Sequence, residues 1–165
     1  LATVWITWSY SKYTEKPEDY VRNMDRLVKK WETAKTLVPA PTVQDTDGAE
    51  VGLIAYGSSH WAVIEARDQL AAAGVRTGYC LLRAYPFHAD VLKFIQRYRR
   101  IYVIEQNRDA QMAGLLKLEL PADAGRMRSV LHYDGMPIDA RSITDGVLKQ
   151  EGVTAEAAVA QGAAR

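Results

Sequence analysis

Cysteine is almost absent: the 165-residue chain has one, Cys80. A single thiol closes no intrachain disulfide and cannot furnish the thiolates of a zinc or iron–sulfur site, which points to a reducing, cytoplasmic setting. Charge of one sign is missing too. Twenty-one basic residues face twenty acidic ones, for a net charge of +1, so no global field gathers nucleic acid or an acidic membrane surface. No apolar run approaches the length of a membrane span, and the N-terminus lacks the basic flank and small-residue cleavage site of a signal peptide. The three histidines, His60, His88 and His132, stand far apart with no cysteine or paired carboxylate at ligand spacing, so no metal site is predicted. Asp45 and Asp47 before Gly48 lack the glutamate that would complete a calcium loop and read as solvated turn carboxylates. The dinucleotide glycine pattern and the P-loop lysine are also missing, and Ser58 and Ser59 lack the flanking glycines of a nucleophile elbow.

What is present is a chain with 48% hydrophobic residues, enough for one good core and a short appendage. Its clearest unit runs from Val51 to Gly74. Val51 to Tyr56 is a continuous apolar run, as expected of a strand covered on both faces. Gly57 allows a sharp turn, Ser58 or Ser59 is placed to cap the next helix, Val63, Ala66 and Leu70 recur at helical spacing, and Gly74 supplies a left-handed stop. Val75 to Leu82 reads as a second strand, Arg83 to Phe87 as a loop broken by Pro86, and Val91, Leu92, Phe94, Ile95 and Tyr98 as the buried stripe of a second helix. Ile101 to Glu105 is a third buried strand and Met112 to Leu120 a third helix. Ser129 to Tyr133 is a fourth strand, and Pro137 opens a fourth helix over Ile138 to Gln150.

The chain thus divides into an aromatic segment, connecting helix and proline-rich linker (1–48), an α/β domain (49–150) and a loosely held alanine-rich tail (151–165). In the first part, Trp5, Trp8, Tyr10 and Tyr13 are more aromatic surface than so short a piece hides alone, and both tryptophans are expected to be partly exposed. The connecting helix carries a stripe of Tyr20, Met24, Leu27, Trp31, Ala34 and Val38, which either packs on this domain or bridges to another; the chain also opens on Leu1 and reads as part of a longer polypeptide.

Strands alternating with helices predict a largely parallel sheet with helices on both faces, whose strand C-terminal ends share one edge where ligands and partners meet such sheets. That edge would present Gly57, Ser58 and Ser59; Arg83, Pro86 and Phe87; Glu105, Asn107 and Gln111; and Tyr133, Asp134 and Gly135. Glu105 stands out, since a carboxylate ending a buried strand must find hydrogen-bond donors. Backbone N–H groups, a serine hydroxyl or Arg83 are the candidates, and the expected outcome is a tie to the loop at Gly57 or Arg83. Nothing among these residues forms a nucleophile with a base.

Taken in order, GLIAYGSSHWAVIEA, LLRAYPF, YVIEQNRDAQM and YDGMP, preceded by PEDYVRNMDRLVKKWE, resemble the C-terminal part of the alpha subunit of 2-oxoacid:ferredoxin oxidoreductases, especially the 2-oxoglutarate type, over residues 14 to 150. The first strand and turn are shared with the last domain of transketolases and of dehydrogenase E1 beta subunits. Glu105, Asn107 and Gln111, with Tyr133, Asp134, Gly135 and Pro137, favour the ferredoxin-linked enzymes. One departure is Ala110, where many relatives have glycine. The resemblance implies a three-layer α/β/α fold of the transketolase C-terminal-domain type, with a mostly parallel sheet and one antiparallel edge strand near Thr42 to Gln44. It implies an accessory domain with no catalytic residue and no bound cofactor. Thiamine diphosphate, Mg2+ and a 4Fe-4S iron–sulfur cluster would belong to other domains or to the beta subunit, with coenzyme A and ferredoxin as partners of the complete enzyme. That enzyme would oxidatively decarboxylate a 2-oxoacid to its acyl-coenzyme A, or run the reverse. The alternatives are the corresponding domain of a transketolase or E1 beta-type enzyme, and a free-standing nucleotide or acyl-carrier binding module.

Overall fold

The computed structural model describes residues 14–153; the expectations for Trp5, Trp8 and most of the tail lie outside these residues. Helix α1, Pro17–Leu37, begins with proline at its first position, where the missing N–H costs nothing. Glu18 and Asp19 face the positive end of the helix dipole. The helix stops at extended Val38, as required before Pro39. None of its residues is buried. Trp31 rests edge-on against Tyr85, ring centroids 5.2 Å apart, and Lys35 pairs with Glu119 at 3.1 Å, so contacts from the C-terminal half of the helix reach the domain. Tyr20, Leu27 and Trp31 of the expected stripe stay exposed, and Val21 and Val28 beside it are more than half exposed.

The domain follows as β1 (Thr42–Gln44), β2 (Val51–Tyr56), α2 (Ser59–Ala72), β3 (Thr77–Leu82), α3 (Ala89–Arg97), β4 (Arg100–Glu105), α4 (Gln111–Glu119), a 3-10 turn (Pro121–Arg126), β5 (Met127–Leu131) and α5 (Ala140–Glu151). The five strands lie in the order β1-β3-β2-β4-β5. β2 runs parallel to both β3 and β4, and β5 parallel to β4. β1 is the antiparallel edge strand implied by the resemblance, with Val43 opposite Cys80. Periodicity alone does not reveal it, because a three-residue strand exposed throughout has no apolar pattern.

Both sheet faces are covered, which explains the continuous apolar runs of β2 and β4. On one face Leu53, Tyr79, Tyr102 and Ile104 pack with Val63, Ala66 and Leu70 of α2 and Ile143 and Val147 of α5. On the other, Ile54, Cys80, Ile101 and Val103 pack with Val91, Phe94 and Ile95 of α3 and Ala113 and Leu116 of α4. This is a three-layer α/β/α sandwich. Burial pushes the Cys80 thiol up to about 12, the behaviour of an inert core residue.

Tyr98 crosses over Gly78, where an added Cβ would stand 2.0 Å from the phenol oxygen, and donates to Asp45 Oδ1 at 2.9 Å. Asp45 also pairs with Arg97 at 2.8 Å, so it anchors the end of β1 and is not simply a solvated turn carboxylate.

Four local expectations need correction. Ser58 makes no side-chain cap, for it sits in the helical backbone region. β3 begins at Thr77 and not Val75, because Val75 N–H is used to close α2, donating to Leu70 O at 2.8 Å. β5 ends at Leu131, leaving Tyr133 outside the strand. α5 starts at Ala140 and not at Pro137, since Asp139 caps it by accepting from Ser142 N–H at 2.7 Å.

Candidate functional site at the carboxyl edge of the sheet

Because β2, β3, β4 and β5 all run the same way, the loops after them converge on one edge. The best-ordered chemistry there surrounds Glu105, the last residue of β4, whose side chain is fully buried. Its Oε2 accepts from Met112 N–H and from the Asn107 amide, both at 2.8 Å, and its Oε1 accepts from Ala113 N–H at 3.1 Å. Two of these donors are orphan N–H groups at the start of α4, so the carboxyl serves as that helix's cap from a distance in sequence. Asn107 Oδ1 in turn accepts from Asp109 N–H at 3.1 Å and Gln111 N–H at 3.3 Å, closing the loop on itself. The turn is tight enough to force Ala110 to φ 51°, ψ 44°, the only non-glycine residue with positive φ among the described residues. The departure from glycine noted in the sequence therefore falls at the one place where a Cβ is strained.

Tyr56 stands beside this group, its hydroxyl 3.4 Å from the Asn107 amide. Burial first, then the neighbouring Glu105 charge, raise its phenol above the ordinary value, while the bond from Asn107 opposes them.

Glu105 does not itself reach the loops at Gly57 or Arg83; the residue after it does. Gln106 Nε2 donates to Ser58 Oγ at 3.2 Å and Ser59 Oγ at 3.0 Å, while its Oε1 accepts from Ile138 N–H at 3.4 Å. The sequence places Gln106 in the polar exit of the third strand, on this edge, but assigns it no partner. The available signal was its position: successive side chains at a strand end point to opposite sides, so a buried Glu105 puts Gln106 elsewhere on the edge.

The other candidates are placed as follows. Gly57 adopts φ +59° in the turn before α2 with open space around it. Arg83 is exposed and joins none of these bonds. Pro86 follows a cis peptide bond, and Phe87 is core, packed edge-on with Tyr85. Tyr133 is exposed; Asp134 Oδ1 accepts from Met136 N–H at 2.9 Å, and Gly135 takes φ +91°. Glu105, Asn107 and Gln111 thus form one cluster with Tyr56, Gln106 joins Ser58 and Ser59 to the chain after β5, and Arg83 and Tyr133 stay apart. Each histidine is engaged: His60 Nδ1 lies 2.9 Å from the Tyr79 hydroxyl, His88 caps α3, and His132 Nε2 lies 3.0 Å from Met136 O. Among the described residues no three His, Cys, Asp or Glu side chains gather as metal ligands. With two donors on Oε2 and one on Oε1, the Glu105 carboxyl ties the β4–α4 loop to the start of the helix.

No family model matches the chain. Its three-layer α/β/α sandwich is a fold found within a 2-oxoglutarate:ferredoxin oxidoreductase and within a transketolase. Among solved structures it is similar to the 2-oxoglutarate:ferredoxin oxidoreductase from Magnetococcus marinus with 2-oxoglutarate, coenzyme A and succinyl-CoA bound, with a TM-score of 0.72 and 21% identity over 93% of this chain. The match spans 27% of that protein's chain. It is also similar to a split-gene transketolase, an inactive beta4 tetramer, with a TM-score of 0.56 and 15% identity over 68% of this chain and 42% of that one. At these identities the likeness establishes the fold.

Proposed function

We propose that this chain is an accessory domain of a thiamine-diphosphate-dependent 2-oxoacid:ferredoxin oxidoreductase, in the alpha-subunit position, acting in the cytoplasm on 2-oxoglutarate. The observation that carries the reading is the fold likeness across 93% of the chain to an enzyme of that activity. The motif order from GLIAYGSSHW to YDGMP supports the same choice. The transketolase likeness is weaker and covers less of the chain. Among the described residues no helix is long and apolar enough to cross a membrane.

The residues present do not fit an iron–sulfur cluster, and the start of α4 does not fit a diphosphate. An iron–sulfur cluster needs several thiolates, and the chain has one cysteine, buried in β3. A diphosphate favours a helix N-terminus, and that of α4 is filled by the Glu105 carboxyl. On this reading thiamine diphosphate, magnesium and the cluster are held by other domains or the beta subunit, and coenzyme A and ferredoxin are partners of the complete enzyme. What this domain contributes is a rigid edge of loops against which the rest of the assembly packs.

The test is to purify the complete polypeptide that contains this chain, with any subunit that copurifies, and follow reduction of a one-electron viologen dye. Reduction that requires both 2-oxoglutarate and coenzyme A is expected. A folded assembly that reduces no dye with any 2-oxoacid, or that transfers ketol groups between sugar phosphates, overturns the proposal.

A further inference from the structure

We infer that Gln106 is a clamp that makes the entry turn of α2 and the loop after β5 one mechanical unit. β4 lies between β2 and β5 in the sheet, so the loops leaving those two strands are kept apart by a whole strand. The Gln106 side chain spans the gap, using its amide nitrogen on Ser58 and Ser59 and its amide oxygen on Ile138 N–H.

A second observation agrees. A serine before a helix normally takes extended backbone and caps it, yet Ser58 has φ −69°, ψ −16° and no cap bond. Its hydroxyl, like that of Ser59, is turned to the clamp instead. The helix start forgoes a local cap for a tie across the edge.

The linked loops carry three of the largest exposed apolar side chains of the edge: Trp61, 76% exposed in the first turn of α2, and Tyr133 and Met136, 63% and 69% exposed, after β5. The Gln106 side chain ties their two loops directly at the edge, beyond the packing of α2 on α5 beneath them. Gln106 is thus a positioning residue for the surface, and this role is independent of which enzyme the domain serves.

Hydrogen–deuterium exchange on the complete polypeptide tests it. For bonds of the ordinary net strength, Gln106→Ala should speed exchange by roughly three- to tenfold in both 58–62 and 136–139, with 77–82 and 101–104 unchanged. Ser58→Ala with Ser59→Ala breaks the same bonds on one side, so adding Gln106→Ala to that background should change 58–62 no further. Faster exchange confined to one loop, exchange that rises equally across the strands, or a further rise at 58–62 in the triple variant overturns the clamp. Unchanged exchange at both loops overturns it as well.

Discussion

Replacing Glu105 with glutamine separates a structural from a chemical role. The wild-type carboxyl accepts three bonds, from Met112 N–H, Ala113 N–H and the Asn107 amide. Glutamine of the same size keeps one acceptor oxygen and brings an NH2 that cannot accept. If its oxygen takes the Oε2 place, Ala113 N–H faces a donor; if it takes the Oε1 place, Met112 and Asn107 both do. At least one buried donor is orphaned, a cost of about 1–3 kcal/mol, and the charge opposite the α4 dipole is lost, worth about 0.5–1 kcal/mol. For a chain of 165 residues that total of roughly 2–4 kcal/mol corresponds to a melting-temperature drop of about 5–15 °C. Differential scanning calorimetry on the complete polypeptide reads the shift, and dye reduction per assembled complex reads the chemistry. Glu105→Gln is expected to melt early and, once assembled, to turn over at nearly the wild-type rate. The reasoning is refuted by a variant of unchanged stability whose turnover falls by about a hundredfold or more, the mark of a lost general acid or base.

Ala110→Gly should stabilise the domain by about 0.5–1 kcal/mol, since it removes a Cβ from the left-handed region while raising the freedom of the unfolded chain; a urea midpoint that moves down would contradict the strain at φ 51°. Gly78→Ala places a methyl 2.0 Å from the Tyr98 hydroxyl and should cost about 2–4 kcal/mol or displace that ring from Asp45; equal denaturation midpoints would show that the crossing is loose. Tyr102 is raised to about 12 by burial and then by the Glu151 carboxylate, Cys80 to about 12 chiefly by burial, and Tyr79 is raised further still, again chiefly by burial. The unfolded chain therefore releases these protons first, so stability is whole below about pH 9 and declines as pH rises toward 12. Urea midpoints at pH 8, 10 and 11 should fall in that order, and a flat profile would refute it.

Much of the architecture was legible because burial and periodicity record each other. β2 and β4 are covered on both faces and read as unbroken apolar runs; α3 keeps its stripe of Val91, Phe94 and Ile95; Gly57 and Gly74 sit where positive φ is needed. β1 could not be found that way, since its partner is the backbone of β3 and its side chains are exposed; it came only through resemblance. The starts of α5 and β3 were misplaced because Pro137 and Val75 satisfy local rules that tertiary bonds override. At the carboxyl edge the need for donors at Glu105 was evident from one buried acid, but which donors was not: the N–H groups of Met112 and Ala113 come close only after the chain doubles back through Ala110. Gln106 was legible only by its position at the polar exit of β4; its partners were not, as hydrogen bonds between surface loops leave no mark on hydropathy.

The placement of the Glu105 carboxyl at the head of α4 has a thermodynamic consequence. A helix start that waits for a diffusible anion is stabilised in proportion to the logarithm of that anion's concentration, so the fold weakens whenever the ligand is scarce. Here the anion is covalently part of the strand before the helix and is present at a fixed effective concentration. The β4–α4 unit should accordingly show no saturable gain in stability as phosphate is added, beyond the general effect of that salt on folded proteins.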